Sequence, residues 1–278
     1  MSDTDTVLYE VVDDSIAVIS LNRPDKANAQ TPDMLDLLDQ QFTRAADDPA
    51  VRVIVLRANG KHFSAGHDIR VASDRNHGDW DPKRDGLARI YEYEAKRYLG
   101  YSRKWRDIRK PTLAAVQGQC IAGALLLVWP MDIILAADNA KFSDPVVHMG
   151  IGGVEYHGHT WELGPRKAKE WLYTGDAITA EEAAEYGMVN HVVPLAELDE
   201  RTLALARRIA ANNPFALAQA KRAVNQTQDI QGFYNAIQSV FDIHQTGHGH
   251  ALAVSGYPVL VDLDAMKQSI KGDEGTPA

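Results

Sequence analysis

Two short runs of aliphatic and β-branched residues, Leu8 to Val12 and Ile16 to Leu21, flank Asp13-Asp14. That pattern predicts a β-hairpin. Thr31-Pro32-Asp33 supplies a hydroxyl cap, a proline for the first helical position and an acid for the first turn, and Leu35, Leu38 and Phe42 follow at helical spacing. Val51 to Leu56 is a short apolar run closed by Asn59-Gly60, which predicts a buried strand. After a Gly/Ser/His loop, His62 to Asp68, the stretch Ser73 to Arg89 is polar and charged and predicts a mobile surface segment. Tyr91 to Trp105 predicts a helix, Thr112 to Val116 a strand ended by Gly118, Ala122 to Val128 a buried helix and Ile133 to Ala136 another strand. Strands alternating with helices predict an α/β fold of βα units with right-handed crossovers.

Beyond residue 165 the pattern becomes helical. Thr179-Ala180-Glu181-Glu182 is a capping box and Gly187 stands where that helix should stop. Asp199 to Ala211 predicts a helix, Asn213-Pro214 starts the next, and Val259 to Ile270 predicts a last one, with a disordered tail from Gly272. The division expected is a core over 1–200 and a helical C-terminal region over 201–278.

The 278 residues suffice for one large or two small domains, and 45% hydrophobic with 24% charged residues is ordinary for a globular enzyme. A net charge of −9 argues against a nucleic-acid partner, although a local site can still attract a small anion. Cys120 is the single cysteine, so no internal disulfide forms. The polar start, Met1 to Thr6, lacks the pattern of a signal peptide, and the longest apolar run, Ile121 to Trp129, is broken by Pro130, far short of a membrane span. A cytoplasmic protein is expected.

The sequence carries no GxGxxG after a strand, no GxxxxGK[ST] and no GxSxG. Two glycine-bearing segments remain, His62-Phe63-Ser64-Ala65-Gly66-His67-Asp68-Ile69 and Val116 through Ala124. Small residues let backbone approach a ligand, and a helix start offers unpaired N–H groups with a partial positive charge. Two such donors converging on one carbonyl oxygen form an oxyanion hole. Either segment alone is better read as a tight turn with close packing.

Together, these segments resemble a known family. Phe63 to Ile69 is similar to the "FSAGxDI" signature of the crotonase (enoyl-CoA hydratase/isomerase) superfamily, and Gly118 to Ile133 resembles its "G-x-x-x-GG-x…CDI" stretch. Asn22 to Ala29 resembles "NRPxxxNA", and Tyr173-Thr174-Gly175 through Gly187-Met188-Val189-Asn190 to Val193-Pro194 resembles "LTG…A…GLVN.VVP". The resemblance covers roughly residues 7 to 270. It implies a crotonase-like spiral of ββα units with a helical C-terminal trimerisation region, a homotrimer or dimer of trimers, and an acyl-CoA thioester as the small-molecule partner, with no cofactor beyond the CoA moiety and no membrane or nucleic acid. It places oxyanion-hole amides on His67 and Gly123. CoA contacts fall on Lys26, Ala27 and Ala29, on Ala65, Asp68 and Ile69, and on a basic residue of the last helix, Lys267 or Lys271.

The two glutamates with which a typical hydratase handles its water fall on Leu126 and Val146. Neither side chain transfers protons. Another position used in the superfamily falls on Val154, and its neighbour Glu155 is the first candidate base; His157 is a candidate to polarise it or to act itself, and Asp144 is a third. Tyr91, Tyr93 and Tyr98 are candidates for the acyl pocket, with an ordinary helix face as the simpler reading. The reading is an acyl-CoA-processing enzyme, with a non-catalytic acyl-CoA-binding protein or a thioester hydrolase as alternatives. His157-Gly158-His159, His248-Gly249-His250 and His244 suggest metal ligands, but the glycines break helical spacing and no cysteine joins them, so no metal site is expected.

Overall fold

The structure, a computed structural model, describes residues 6–68, 81 and 84–261. β1 (Val7–Val12) and β2 (Ile16–Leu21) form the expected antiparallel hairpin, with Asp13 and Asp14 both at positive φ in the turn. Aspartate tolerates that left-handed conformation better than most residues. β2 then pairs in parallel with β3 (Val53–Ala58), β3 with β4 (Thr112–Val116), β4 with β6 (Ile133–Ala137) and β6 with β9 (His191–Val193), giving one six-stranded sheet. A smaller sheet has the order β5 (Gln119–Ile121), β7 (Lys141–Ser143), β8 (Ile178–Thr179).

Both faces of the large sheet are covered, so its strands read as unbroken apolar runs. Side chains of a strand still alternate between faces. Ala17, Ile19, Leu21, Ile54, Leu56, Ala114, Val116, Ile134 and Ala136 enter the main core, while Ile16, Val18, Val53, Val55, Leu113, Ala115, Leu135 and Ala137 enter a second core. The second core is closed by Leu198 and Ala206 of α7 (Leu198–Ala210). The main core is closed in part by Met34, Leu35, Leu38, Phe42 and Ala45 of α1 (Pro32–Asp47), whose Thr31 hydroxyl caps the Met34 amide at 3.2 Å. Chain order repeats a motif: β4 then β5, β6 then β7, each giving one strand to the large sheet and a short one to the small sheet before the chain turns helical.

α2 (Gly86–Glu94) runs through a π-helical stretch, Ala95–Gly100, into α3 (Tyr101–Arg106). The helix thus starts within the stretch expected to be mobile, whose residues 73–80, 82 and 83 lie outside the described residues. Ala122–Ala124 is a 3-10 turn leading into α4 (Leu125–Val128). The capping box holds: Thr179 accepts from the Glu182 amide at the start of α6 (Ala180–Glu185), which follows α5 (His159–Thr174). α8 (Pro214–Ile230) begins at the Asn213 cap.

Two expectations need correction. α9 runs unbroken from Phe233 to Ser255, through Gly247 and through Gly249, the glycine of His248-Gly249-His250 that is expected to break helical spacing. The expected last helix does not include Val259 to Val261; the Leu260 amide donates instead to the Met149 carbonyl at 3.0 Å, and residues 262–278 lie outside the described residues. Among the described residues no helix is long and apolar enough to cross a membrane.

Candidate active site

Three segments far apart in sequence are laced together under the site. The Ala65 amide donates to Ala27 O at 2.9 Å, the Gln30 amide to Gly66 O at 2.8 Å and the Asp68 amide to Gln30 O at 2.9 Å. On the other side the Ser64 amide donates to Gln119 O and the Ile121 amide to Ser64 O, at 3.1 and 3.0 Å. The Gln30 side chain spans both, donating to Ser64 Oγ at 3.2 Å and to Gly123 O at 3.1 Å. Gly66 sits at φ +82, where a Cβ would lie 2.6 Å from Ile121 O, so both conformation and space demand glycine.

This lacing brings the two glycine segments side by side. In the parallel bridge between Gln30 and His67, the bonds use Gly66 O and Asp68 N–H, so the His67 N–H points to the opposite edge. Gly123 lies in the first turn of its 3-10 helix, where an N–H has no intrahelical partner. The His67 ring lies over Gly123: a Cβ built there would meet His67 Cε1 at 2.5 Å.

Of the residues assigned to CoA contact, Lys26, Ala27 and Ala29 sit on and after the 3-10 turn Pro24–Lys26, against the Ala65 backbone. Asp68 is ion-paired with Arg23 at 3.1 Å. Ile69, Lys267 and Lys271 lie outside the described residues.

Glu155 enters from the segment after the 3-10 helix Pro145–Met149. Asp144, fully buried, accepts from the Val154 amide at 2.9 Å and contacts His159 Nε2 at 2.8 Å. With Val154 packed into the main core, Glu155 carries its carboxylate toward His67. Only 5% of Glu155 is exposed, its Oε2 has no hydrogen-bond partner, and that oxygen stands 3.5 Å from His67 Nε2. Both His67 ring nitrogens are also buried without a hydrogen-bond partner. The His67 ring stacks on Tyr98, which the π-helical stretch presents. Burial drives the Tyr98 hydroxyl pKa well above 10, reinforced by the nearby Tyr93, Glu94 and Glu155 charges.

His157 does not join this group. Its Nδ1 is 3.1 Å from His159 Nδ1 and its Nε2 is 3.3 Å from the Thr160 hydroxyl. Burial, then the neighbouring His159, pushes its pKa down to about 3, so the ring is neutral. Asp144 is occupied as the clamp of this segment. Leu126 and Val146 pack into or against the main core.

Behind Glu155 stands a cluster to which the sequence reading gave no role: Glu94 at the end of α2, and His244 and His248 one turn apart on α9, all buried. Its signal in the sequence is two histidines four residues apart, His244 and His248, which the neighbouring Gly249 obscures. Burial works against the Glu94 charge, yet the His248 and His244 charges and hydrogen bonds outweigh it and hold the carboxyl well below the usual range. Burial likewise opposes charge on His244, and Glu94 and Glu155 reverse that, raising it to about 9.

A spiral of strand pairs and helices, with two adjoining glycine segments facing a buried carboxylate, defines a crotonase-type enzyme. Residues 12–248 match the family model for enoyl-CoA hydratase/isomerase. A Mycobacterium tuberculosis protein that carries an enoyl-CoA hydratase name, EchA13, is 42% identical over 263 residues, 90% of this chain and 83% of that protein. The crystal structure of a probable enoyl-CoA hydratase from Mycobacterium smegmatis is 63% identical with a TM-score of 0.85, covering 91% of this chain and 99% of the other. A hydroxycinnamoyl-CoA hydratase-lyase from Pseudomonas fluorescens is 31% identical over 81% of this chain and 80% of that protein. The chain belongs to the enoyl-CoA hydratase/isomerase family.

Proposed function

We propose that the protein binds an enoyl-CoA thioester with its carbonyl oxygen on the His67 and Gly123 amides, and that Glu155 is the single proton carrier. The observation that carries this is the Glu155 carboxylate: buried, with Oε2 lacking a hydrogen-bond partner and facing His67 Nε2 across 3.5 Å. An unsatisfied buried acceptor calls for a role. In hydration, Glu155 takes a proton from water while the water oxygen bonds the β-carbon; the π electrons move onto the thioester as an enolate held by the two amides, and the proton returns to the α-carbon. In isomerisation the same carboxylate removes a carbon-bound proton and returns it elsewhere on the same enolate. Both routes need the oxyanion donors and one carboxylate, so neither requires acids at Leu126 and Val146.

Those two aliphatic side chains favour one other reading, an acyl-CoA-binding protein without turnover. Mass spectrometry with chromatography on a panel of enoyl-, acyl- and aroyl-CoA esters, crotonyl-CoA included, separates the two. Gain of one water by an ester, or a retention shift at unchanged mass, supports the enzyme. Binding by calorimetry with no ester altered overturns it. We further propose a homotrimer or pair of trimers, supported by exposed Phe215, Val224 and Ile230 on α8 and Ile243 and Val254 on α9; a monomer by light scattering would refute it.

A further inference from the structure

Glu94, His244 and His248 each offer a ligand atom, and these lie within 4.8 Å of one another. His244 Nε2 and His248 Nε2 are 3.0 Å apart, and Glu94 offers Oε2 to the first and Oε1 to the second, each at 3.4 Å. All three residues are buried. The proton positions follow from the far side of each ring. His244 Nδ1 is 2.7 Å from the Gly153 carbonyl and His248 Nδ1 is 2.7 Å from the Pro258 carbonyl. A carbonyl only accepts, so each Nδ1 carries a proton, and a ring without a second proton turns a bare lone pair at Nε2 toward the other ring and toward the carboxylate. Three lone-pair groups packed this closely repel unless a cation joins them. A proton on His244 Nε2, shared between the Glu94 carboxylate and the His248 lone pair, is one such cation; a metal ion that displaces it joins all three residues. Two protons would place two imidazolium Nε2 atoms 3.0 Å apart.

We propose that the cation is a divalent first-row transition metal ion, with zinc as the best match, held by His244 Nε2, His248 Nε2 and the Glu94 carboxylate. Metal–ligand bonds of about 2.0–2.1 Å place neighbouring ligand atoms roughly 3.0–3.4 Å apart across tetrahedral or octahedral angles. The separation of the two Nε2 atoms and the contact of each with its nearer carboxylate oxygen fall in that interval. The outer contacts are also those of a metal site: both rings are oriented by Nδ1–H donation to backbone carbonyls, and Gln245 Nε2 donates to Glu94 Oε2 at 2.6 Å, fixing the carboxylate. A coordination position remains toward Glu155, whose Oε1 is 3.8 Å from His244 Nε2. The two histidines meet because α9 stays helical through Gly247 and Gly249. The inference does not depend on the acyl-CoA reading.

The test uses untagged full-length protein stripped with a strong chelator, then loaded with Zn2+ or Co2+ and freed of excess ion. Elemental analysis should find about one equivalent of metal per chain, and Co2+ should give visible ligand-field bands that Zn2+ abolishes. Removing zinc should lower the melting temperature. Glu94→Gln, His244→Ala and His248→Ala should each reduce occupancy to below about a tenth of an equivalent. His250→Ala, an exposed histidine on the same helix, should keep it. Stripped wild-type protein that takes up neither ion, or triad variants that load as fully as wild type, would overturn the site. If a triad variant does not fold, the wild-type stoichiometry and Co2+ spectrum decide alone.

Discussion

The His67 imidazole lies flat against the Tyr98 phenol ring, with centroids 3.8 Å apart and planes 13° from parallel. Tyr98 is 6% exposed and sits within the π-helical stretch, so the helix winding sets the ring that fixes His67. Tyr98→Phe keeps the stacked face and should leave stability within about 1 kcal/mol of wild type, whereas Tyr98→Ala should lose roughly 3–5 kcal/mol by cavity formation and free the imidazole. Chemical denaturation measures the first effect and histidine NMR the second. Equal stability for the two variants would show that the stack supports nothing.

Glu155→Gln preserves shape and removes the proton acceptor. On any ester the wild type converts, kcat should fall about 10²- to 10⁴-fold with KM little changed. A rise in KM alone would make Glu155 a binding residue instead.

Gly123→Ala drives a methyl group to 2.5 Å from His67 Cε1. The variant should fold with a displaced His67 and lose roughly 1–3 kcal/mol to overpacking. Pairing it with His67→Ala removes the obstructing ring, so the double variant should recover part of that loss relative to the sum of the singles. Strict additivity in a double-mutant cycle would argue against the contact.

His157 carries a pH signature. Its folded pKa is depressed from 6.5 to about 3 by burial and by His159. The unfolded chain therefore binds a proton that the folded one rejects as pH falls below 6.5. Its contribution is present above that value and is lost progressively between about 6.5 and 3. Denaturant midpoints across that range should slope downward toward acid, and His157→Asn should flatten the slope. An identical slope in the variant would place the effect elsewhere.

The sequence announced those parts of the fold where local chemistry and tertiary environment agree. Thr31-Pro32 starts α1, Thr179 caps α6, and the apolar runs of β2, β3, β4 and β6 are strands because both sheet faces are covered. The glycine segments were legible as a pair, and family resemblance brought them together. α9 was not legible, because glycine lowers helix propensity. Here the missing side chains serve close packing: a Cβ at Gly247 would press Ile151 Cδ1 at 3.2 Å, and one at Gly249 would touch Leu87 Cδ2 at 3.4 Å. Those neighbours are distant in sequence, so no local pattern reveals them. The same holds for Glu94, which meets His244 only across some 150 residues of chain.

The lacing of 27–30, 64–68 and 119–123 divides the molecule into a floor and a roof. The floor is a web of backbone bonds among 27–30, 64–68 and 119–121, tied to Gly123 by the Gln30 side chain, and apart from that tie and the Ser64 hydroxyl its dimensions are largely independent of side-chain identity. The roof comprises the π-helical stretch with Tyr98 and the face of α9, built of side chains alone. Redesign for a differently shaped acyl chain should therefore begin with the roof, while grafting a floor segment from a relative disturbs all three strands of the web at once.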